Sequence, residues 1–142
     1  MVEIHYRLTS YDGQPCNSKI EWLDENNHEK FNAHLLLAGQ GSISEDVFRG
    51  FYKFARYCLL YHDGLPIARG AVEPISEQAW EASDIRTAKE YRGRGFAKET
   101  LRFLSRYIIE NGKMATCYTE EDNIAMQKVI KSVGYKEDMQ NG

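Results

Sequence analysis

One segment constrains the fold more than any other: Tyr91-Arg92-Gly93-Arg94-Gly95-Phe96-Ala97-Lys98. It joins a strand-like run, Trp80 to Thr87, to a run of helical periodicity from about Phe96 to Glu110. A glycine-rich turn that opens a helix leaves several backbone N–H groups unpaired, with the positive end of the helix dipole behind them. With no Cβ at positions 93 and 95 a ligand can reach the backbone, and Arg92 and Arg94 add positive charge. The segment predicts a site for phosphate or pyrophosphate, and hence a phosphorylated cofactor.

Two widespread nucleotide motifs do not fit. A mononucleotide P-loop requires G-x-x-x-x-G-K-[ST], which no segment supplies, and a Rossmann fingerprint requires a third glycine where Lys98 stands. What the run does match is R-x-x-G-x-A, from Arg92 through Gly95 to Ala97. That pattern resembles the acetyl-CoA loop, Q/R-x-x-G-x-G/A, of the GCN5-related N-acetyltransferase (GNAT) family. The resemblance extends from Asp84 to about Lys136. A strand candidate, Ala115 to Thr119, follows the loop helix, and then comes a segment from Asn123 to Tyr135. It is similar to the family's second half, in which an asparagine opens a helix that ends in Gly-Phe or Gly-Tyr. The residues agree on physical grounds. Asn123 is a helix start signal, and Met126, Val129, Ile130 and Val133 repeat at helical spacing. Gly134 suits a left-handed residue just past the helix end.

The rest of the chain reads as α/β. Glu3 to Leu8 alternates as a strand with Ile4, Tyr6 and Leu8 on one face, and Tyr11 to Asn17 reads as a loop. Asp24 to Ala38 is expected to be helical. Ser44 or its neighbour is expected to cap a second helix through Ala55, with Val47, Phe48, Phe51 and Phe54 on one face. Tyr57–Tyr61 and Pro66–Val72 flank His62-Asp63-Gly64-Leu65, a hairpin signal. The expected order is β-α-α-β-β-β-α-β-α, the order the resemblance implies: a GNAT-like mixed central sheet flanked by helices, residues 1–142 forming one domain. Against that resemblance the C-terminal end is expected to be shortened: family members usually finish with two more strands, whereas Lys136 to Gly142 is too short and polar for a hairpin. An uncovered sheet edge invites pairing with another chain, and so a homodimer.

Composition narrows the partners. With 42% hydrophobic residues in 142 the chain can bury a real core, and its net charge of −3 gives no reason to expect nucleic-acid binding. Cys16, Cys58 and Cys117 form no CxxC pair and read as reduced thiols in a cytoplasmic protein. No signal-peptide core or membrane-spanning run is expected. His28 and His34 are six apart, wrong for a shared metal face, and read as exposed side chains; no metal site is expected.

The resemblance implies acetyl transfer from the CoA thioester to an amine of a small molecule or protein, by direct attack. Backbone groups near Ile85, Arg86 and Thr87 would hold the pantetheine arm, and one N–H there would polarise the thioester carbonyl. Arg92, Gly93, Arg94, Gly95, Phe96, Ala97 and Lys98 would hold the pyrophosphate, with Asn123 at the start of the later helix. An amine that titrates near roughly pH 10 must lose a proton. Glu81, near the start of the strand leading to the loop, stands where several members carry a glutamate base. Alternation puts Glu81, Ser83, Ile85 and Thr87 on one face and Asp84 with Trp80 and Ala82 on the other. Asp84 is the second candidate, since a one-residue slip exchanges the faces. Many members protonate the leaving thiolate with a tyrosine seven residues after the helix-opening asparagine; here that position is Ile130. Tyr118, Tyr135 and Cys117 are nearby in sequence without occupying it. The Phe48, Phe51, Tyr52 and Phe54 rings read as core in a region that by resemblance borders the acceptor groove, where one or two of them could touch substrate. Glu120-Glu121-Asp122 reads as a solvated loop favouring the helix dipole, with attraction of a cationic amine as the alternative. Two other readings stay open: a CoA-binding module with little catalysis, and a phosphate- or nucleic-acid-binding protein using Arg92, Arg94 and Lys98. Neither the acceptor nor the acyl length is encoded in a motif.

Overall fold

A computed structural model describes residues 2–13 and 15–138. Strand β1, Glu3–Leu8, is followed by β2, Lys19–Trp22, and then by helices α1, His28–Leu37, and α2, Glu45–Phe51. Three strands come next: β3, Arg56–His62; β4, Leu65–Pro74; and β5, Ala79–Thr87. A 3₁₀ turn at Lys89–Tyr91 leads to α3, Phe96–Glu110, then β6, Met114–Glu120, α4, Ile124–Val133, and β7, Lys136–Glu137. The seven strands make one sheet in the order β2-β3-β4-β5-β6-β1-β7, antiparallel except at the β5–β6 pair.

The strands form where alternation is longest. Asp63 (φ 50°) and Gly64 (φ 78°) make a two-residue turn with both centres left-handed, which matches the twist of β3 and β4. The strand at Lys19–Trp22 is an addition to the expected order. It is a four-residue edge strand without a buried side chain, too short to show a period in the sequence. Lys136–Glu137 adds two rungs against Tyr6 and Arg7, so the edge of β1 is covered there; the expectation for Met139 to Gly142 lies outside the described residues.

Two helix boundaries differ from expectation. Asp24 to Asn27 form a turn, in which the Asp24 side chain accepts the Asn26 N–H and the Asn27 side chain accepts the Asp24 N–H. These side chains compete with the helix for the backbone, and α1 starts only at His28. Helix α2, capped by Ser44 through the Val47 N–H, ends at Phe51. Phe48 and Phe51 turn inward, while Val47 and Phe54 stay exposed.

The sheet carries helices on both faces. Under α3 and α4 lies a core of Tyr6, Val72, Ala82, Leu101, Leu104, Ile108 and Ile130. Under α1 and α2 lies a smaller, aromatic core of Phe31, Phe48, Tyr57, Leu59 and Ala71. Gly70 of β4 lets α3 close on the sheet, since a Cβ there would stand 2.8 Å from Leu104 Cδ1 and Thr100 Cγ2.

Candidate active site

The sheet parts where the parallel β5–β6 pairing ends. β5 and β6 are in register from Ala79↔Met114 to Glu81↔Thr116. Beyond that β5 continues beside β4 to Thr87, and β6 continues beside β1 to Glu120. The parting leads into a cleft of ≈ 560 Å³ between the end of β5, the loop before α3 and the first turns of α4. Ile85, Arg86, Thr87, Arg92, Gly93, Gly95, Phe96, Ala97, Lys98 and Asn123 all line it. Arg94, expected among them, does not. Its guanidinium lies 5.5 Å from the Tyr91 ring centre and 5.7 Å from that of Phe96, a cation–π position beside the loop.

The loop's glycines are required by conformation rather than by space. Gly93 (φ 76°) and Gly95 (φ 88°) are left-handed, yet a Cβ on either would meet nothing within 4 Å. No N–H from Gly93 to Lys98 donates to a backbone carbonyl among the described residues, as expected of the donors ahead of and in the first turn of a helix, and all of these residues but Arg94 line the cleft at the positive end of α3. Arg92 serves the loop as well as the cleft, because its Nε donates to the Thr87 carbonyl at 2.9 Å. Across the cleft the Asn123 side chain accepts the Met126 N–H at 3.1 Å and caps α4.

Glu81 stands outside this cleft, on the face of the sheet that carries α1 and α2. It is in register with Glu73 on β4, and Thr116 Oγ1 donates to it over 3.5 Å. Burial, and then Glu73, push its carboxyl above the ordinary 4.5.

Asp84 departs from the expected alternation. The β4–β5 register slips between Arg69↔Arg86 and Ala71↔Ser83, so Asp84 and Ile85 together face Gly70 in a β-bulge. Asp84 (φ 46°) is left-handed, which costs a residue with a Cβ of order 1 kcal/mol. The bulge moves Asp84 away from the face of Trp80 and Ala82 and onto that of Glu81 and Ser83. There Arg69 grips it through Nε to Oδ2 at 3.1 Å and Nη2 to Oδ1 at 3.0 Å, and Tyr57 donates to Oδ2 at 2.8 Å. Arg69 Nη1 donates to Gln40 at 2.6 Å and to His34 Nε2 at 3.3 Å. His34 is wholly buried, against the exposed position expected for it, and burial holds its imidazole down at about 4. A neutral ring fits both contacts, with Nδ1–H donating to the Pro66 carbonyl at 2.8 Å and Nε2 accepting from Arg69. His28 is half-buried, its Nε2 near the Ile43 carbonyl.

The sequence reading missed Arg69, Tyr57, Gln40 and His34 as members of this network. One signal was available: an arginine inside the apolar run Ile67 to Val72 has to find partners. Of the nearby candidates for proton donation, Tyr135 is buried and bonded to Ser105, and Cys117 is buried with its thiol pushed up by desolvation. Tyr118 is half-exposed, stacked on His5 at 5.4 Å, and shifted upward by burial and by Glu3, Glu81, Glu73 and Asp84. Ile130 lies in the core beneath α3. Among the described residues no group of three or more His, Cys, Asp or Glu is placed to hold a metal ion, and no helix is long and apolar enough to cross a membrane.

The model of the acetyltransferase (GNAT) family matches residues 15–135. Among solved structures the chain is similar to a GNAT acetyltransferase from Colwellia psychrerythraea, at 22% identity and a TM-score of 0.72, covering 95% of this chain and 52% of that one. It is similar to the ribosomal-protein-S18-alanine N-acetyltransferase from Escherichia coli, at 16% identity and a TM-score of 0.68, covering 86% and 79%. A third similar structure is AAC(6')-Iy in complex with the bisubstrate analogue CoA-S-monomethyl-acetylneamine, at 16% identity and a TM-score of 0.68, covering 87% and 94%. These likenesses establish the fold. The chain spans about half the length of the larger structures it matches, 59%, 52% and 48% in three of them. No match is found among curated proteins.

Proposed function

The chain belongs to the GNAT acetyltransferase family, and on that premise we propose that it transfers an acetyl group from acetyl-CoA to a primary amine by direct attack. The observation that carries the reading is the cleft itself, where a parted strand pair meets the unpaired N–H groups at the start of α3. N–H groups from Gly93 to Lys98, with the charges of Arg92 and Lys98, bind the pyrophosphate. The backbone of Ile85, Arg86 and Thr87 lies along the pantetheine arm and offers an N–H to the thioester carbonyl. Asn123 borders the arm from α4. The thioester supplies an activated acetyl group: the N–C bond forms as the C–S bond breaks, and the sulfur leaves as thiolate. Glu81 takes the amine proton through water, a role suited to a carboxyl pushed upward. The thiolate is protonated from solvent, since a thiol titrating near roughly 8.5 needs no dedicated acid. The same proposal takes residues 1–142 as one cytoplasmic domain without metal, nucleic-acid or membrane partners. A homodimer would pair through an outer strand, β2 or β7.

Titration with acetyl-CoA and desulfo-CoA by calorimetry tests the cofactor site. Micromolar binding, weakened by Arg92→Ala with Lys98→Ala, supports it; no binding rejects it. Glu81→Gln is expected to lower kcat by about 100-fold with acetyl-CoA affinity unchanged. The base works ionised, so activity falls as pH falls through a limb that lies above 4.5, and Glu81→Gln loses that limb. A CoA-binding module with little catalysis is the second reading, favoured by the buried Ile130 in place of a tyrosine; turnover of any amine counts against it.

A further inference from the structure

Arg69 and Asp84 line two cavities at once. One is the cofactor cleft, and the other is a pocket of ≈ 200 Å³ on the α1–α2 face. The second pocket is walled by Phe31, Leu35, Ile43 and Phe51, with Gln40, Arg69 and Asp84 as its polar members. We propose that this pocket is the acceptor subsite, shaped for a small primary amine with a compact apolar body, and that Asp84 orients its nitrogen towards the cofactor cleft. The inference rests on the acetyl-transfer reading and names the substrate class for it.

Asp84 keeps unspent hydrogen-bonding capacity. A carboxylate offers about four acceptor directions. On Asp84, Oδ2 is used by Arg69 Nε and by Tyr57, and Oδ1 by Arg69 Nη2. One direction on Oδ1 remains, and the side chain is 40% exposed, so a ligand can reach it. An amine N–H fits that direction. Gln40 Oε1 accepts from Arg69 and keeps a second acceptor direction, which can take another N–H of the amine. The guanidinium 3.0 Å from Oδ1 disfavours a second cation at the same oxygen, so the site selects the neutral amine, whose lone pair is free to attack. Asp84 is therefore a positioning and specificity group, and the proton-accepting role stays with Glu81.

Size and polarity define the rest of the acceptor. At interior packing density, ≈ 200 Å³ holds on the order of ten non-hydrogen atoms. A phenyl or branched alkyl group fits this volume and these walls. A polyamine would bring a further charge against Phe31, Leu35 and Phe51 with no counter-ion there, at a desolvation cost. The rival location is the carboxylate-rich sheet face of Glu3, Glu73 and Glu81 beside Tyr118, which suits a polycation or a lysine-bearing peptide.

The test compares 2-phenylethylamine and isopentylamine with spermidine and a lysine peptide in the acetyl-CoA reaction. A leucine at position 41 would enter the pocket from its open side: Gly41 lines it, and a Cβ there meets nothing within 4 Å. The expected result is a kcat/KM for 2-phenylethylamine at least about tenfold above that for spermidine. Gly41→Leu then raises the amine KM by about tenfold, the scale of one or two methylenes in a pocket, with kcat and acetyl-CoA affinity unchanged. Asp84→Asn lowers kcat for the same amine. A preference for spermidine or the peptide, insensitive to Gly41→Leu, overturns the subsite and leaves acetyl transfer standing. Acetyl-CoA binding without turnover of either apolar amine also overturns it. Failure to bind acetyl-CoA at all removes the reading on which it rests.

Discussion

The cleft before α3 and the pocket behind Asp84 share residues but are built from different materials. In the cleft the groups that would meet a ligand are mainly backbone N–H donors, held open by two left-handed glycines and the start of a helix. Behind Asp84 they are side chains, and each depends on another: His34 and Gln40 on Arg69, Arg69 on Asp84, Asp84 on Tyr57. A backbone site tolerates change in any one side chain, whereas a closed chain of side chains fails when one member is removed. The two regions should therefore respond to substitution separately and by different amounts.

The largest effect is expected from Arg69→Met, which keeps volume and removes the guanidinium. Breaking one half of a buried ion pair costs about 3–5 kcal/mol, and the lower end applies because Asp84 is 40% exposed and can turn to water. Denaturant unfolding should show a loss of about 3 kcal/mol. Acetyl-CoA affinity should fall no more than several-fold, because the loop N–H groups are untouched. Loss of acetyl-CoA binding in a variant that remains folded would show that the cleft depends on the network, and the contrast between the two regions would collapse.

The next effect is set by pH. The folded His34 titrates at about 4 and the unfolded imidazole near 6.5. Between these values the unfolded chain binds a proton that the folded chain refuses, so stability is fully present above about 6.5 and declines as pH falls towards 4. Over the whole window His34 accounts for about 3 kcal/mol. Carboxylates elsewhere also respond to acid, so the informative measurement is the difference between wild type and His34→Gln. The glutamine can donate to Pro66 and accept from Arg69 without titrating, and its unfolding free energy should lack this part of the slope. A slope identical to wild type would mean that His34 takes up its proton as readily in the folded chain as in the unfolded one.

The contrast also explains what the sequence disclosed. The loop was legible because left-handed turns at a helix start demand glycine, and that demand is written into Gly93 and Gly95. Helices α3 and α4 were legible from their apolar periods, and the β3–β4 hairpin from Asp63-Gly64. Lys19–Trp22 was silent because four residues are too few to fix a period, although Ile20 and Trp22 pack against the α3 core. The face of Asp84 was misread because alternation presumes an unbroken ladder, and no residue near Asp84 announces the bulge; the glycine involved, Gly70, sits on the opposite strand. The His34–Arg69–Asp84–Tyr57 network joins four elements distant in sequence. Only tertiary structure brings them together, and no local pattern could reveal it.

Gly70 offers the smallest effect and the sharpest separation, because it touches one region's support without entering either site. Its neighbour Arg69 faces the network, while Gly70 faces α3, where a Cβ would stand 2.8 Å from Leu104 Cδ1 and Thr100 Cγ2. Neither atom can retreat easily. Both residues are fully buried, and Thr100 is pinned by the bond from its Oγ1 to the Phe96 carbonyl at 2.9 Å. Gly70→Ala should therefore push α3 away from β4 at an overpacking cost of about 1–2 kcal/mol. The first turn of α3 carries the loop N–H groups, so the displacement should weaken acetyl-CoA several-fold. The pocket between α1, α2 and Asp84 should keep its shape and the amine KM its value. Equal losses for acetyl-CoA and amine would mean that β4 moves as a unit and carries both regions with it. A loss confined to acetyl-CoA would place the mechanical boundary between them at the bulge, with α3 answering to Gly70 and the network to Arg69.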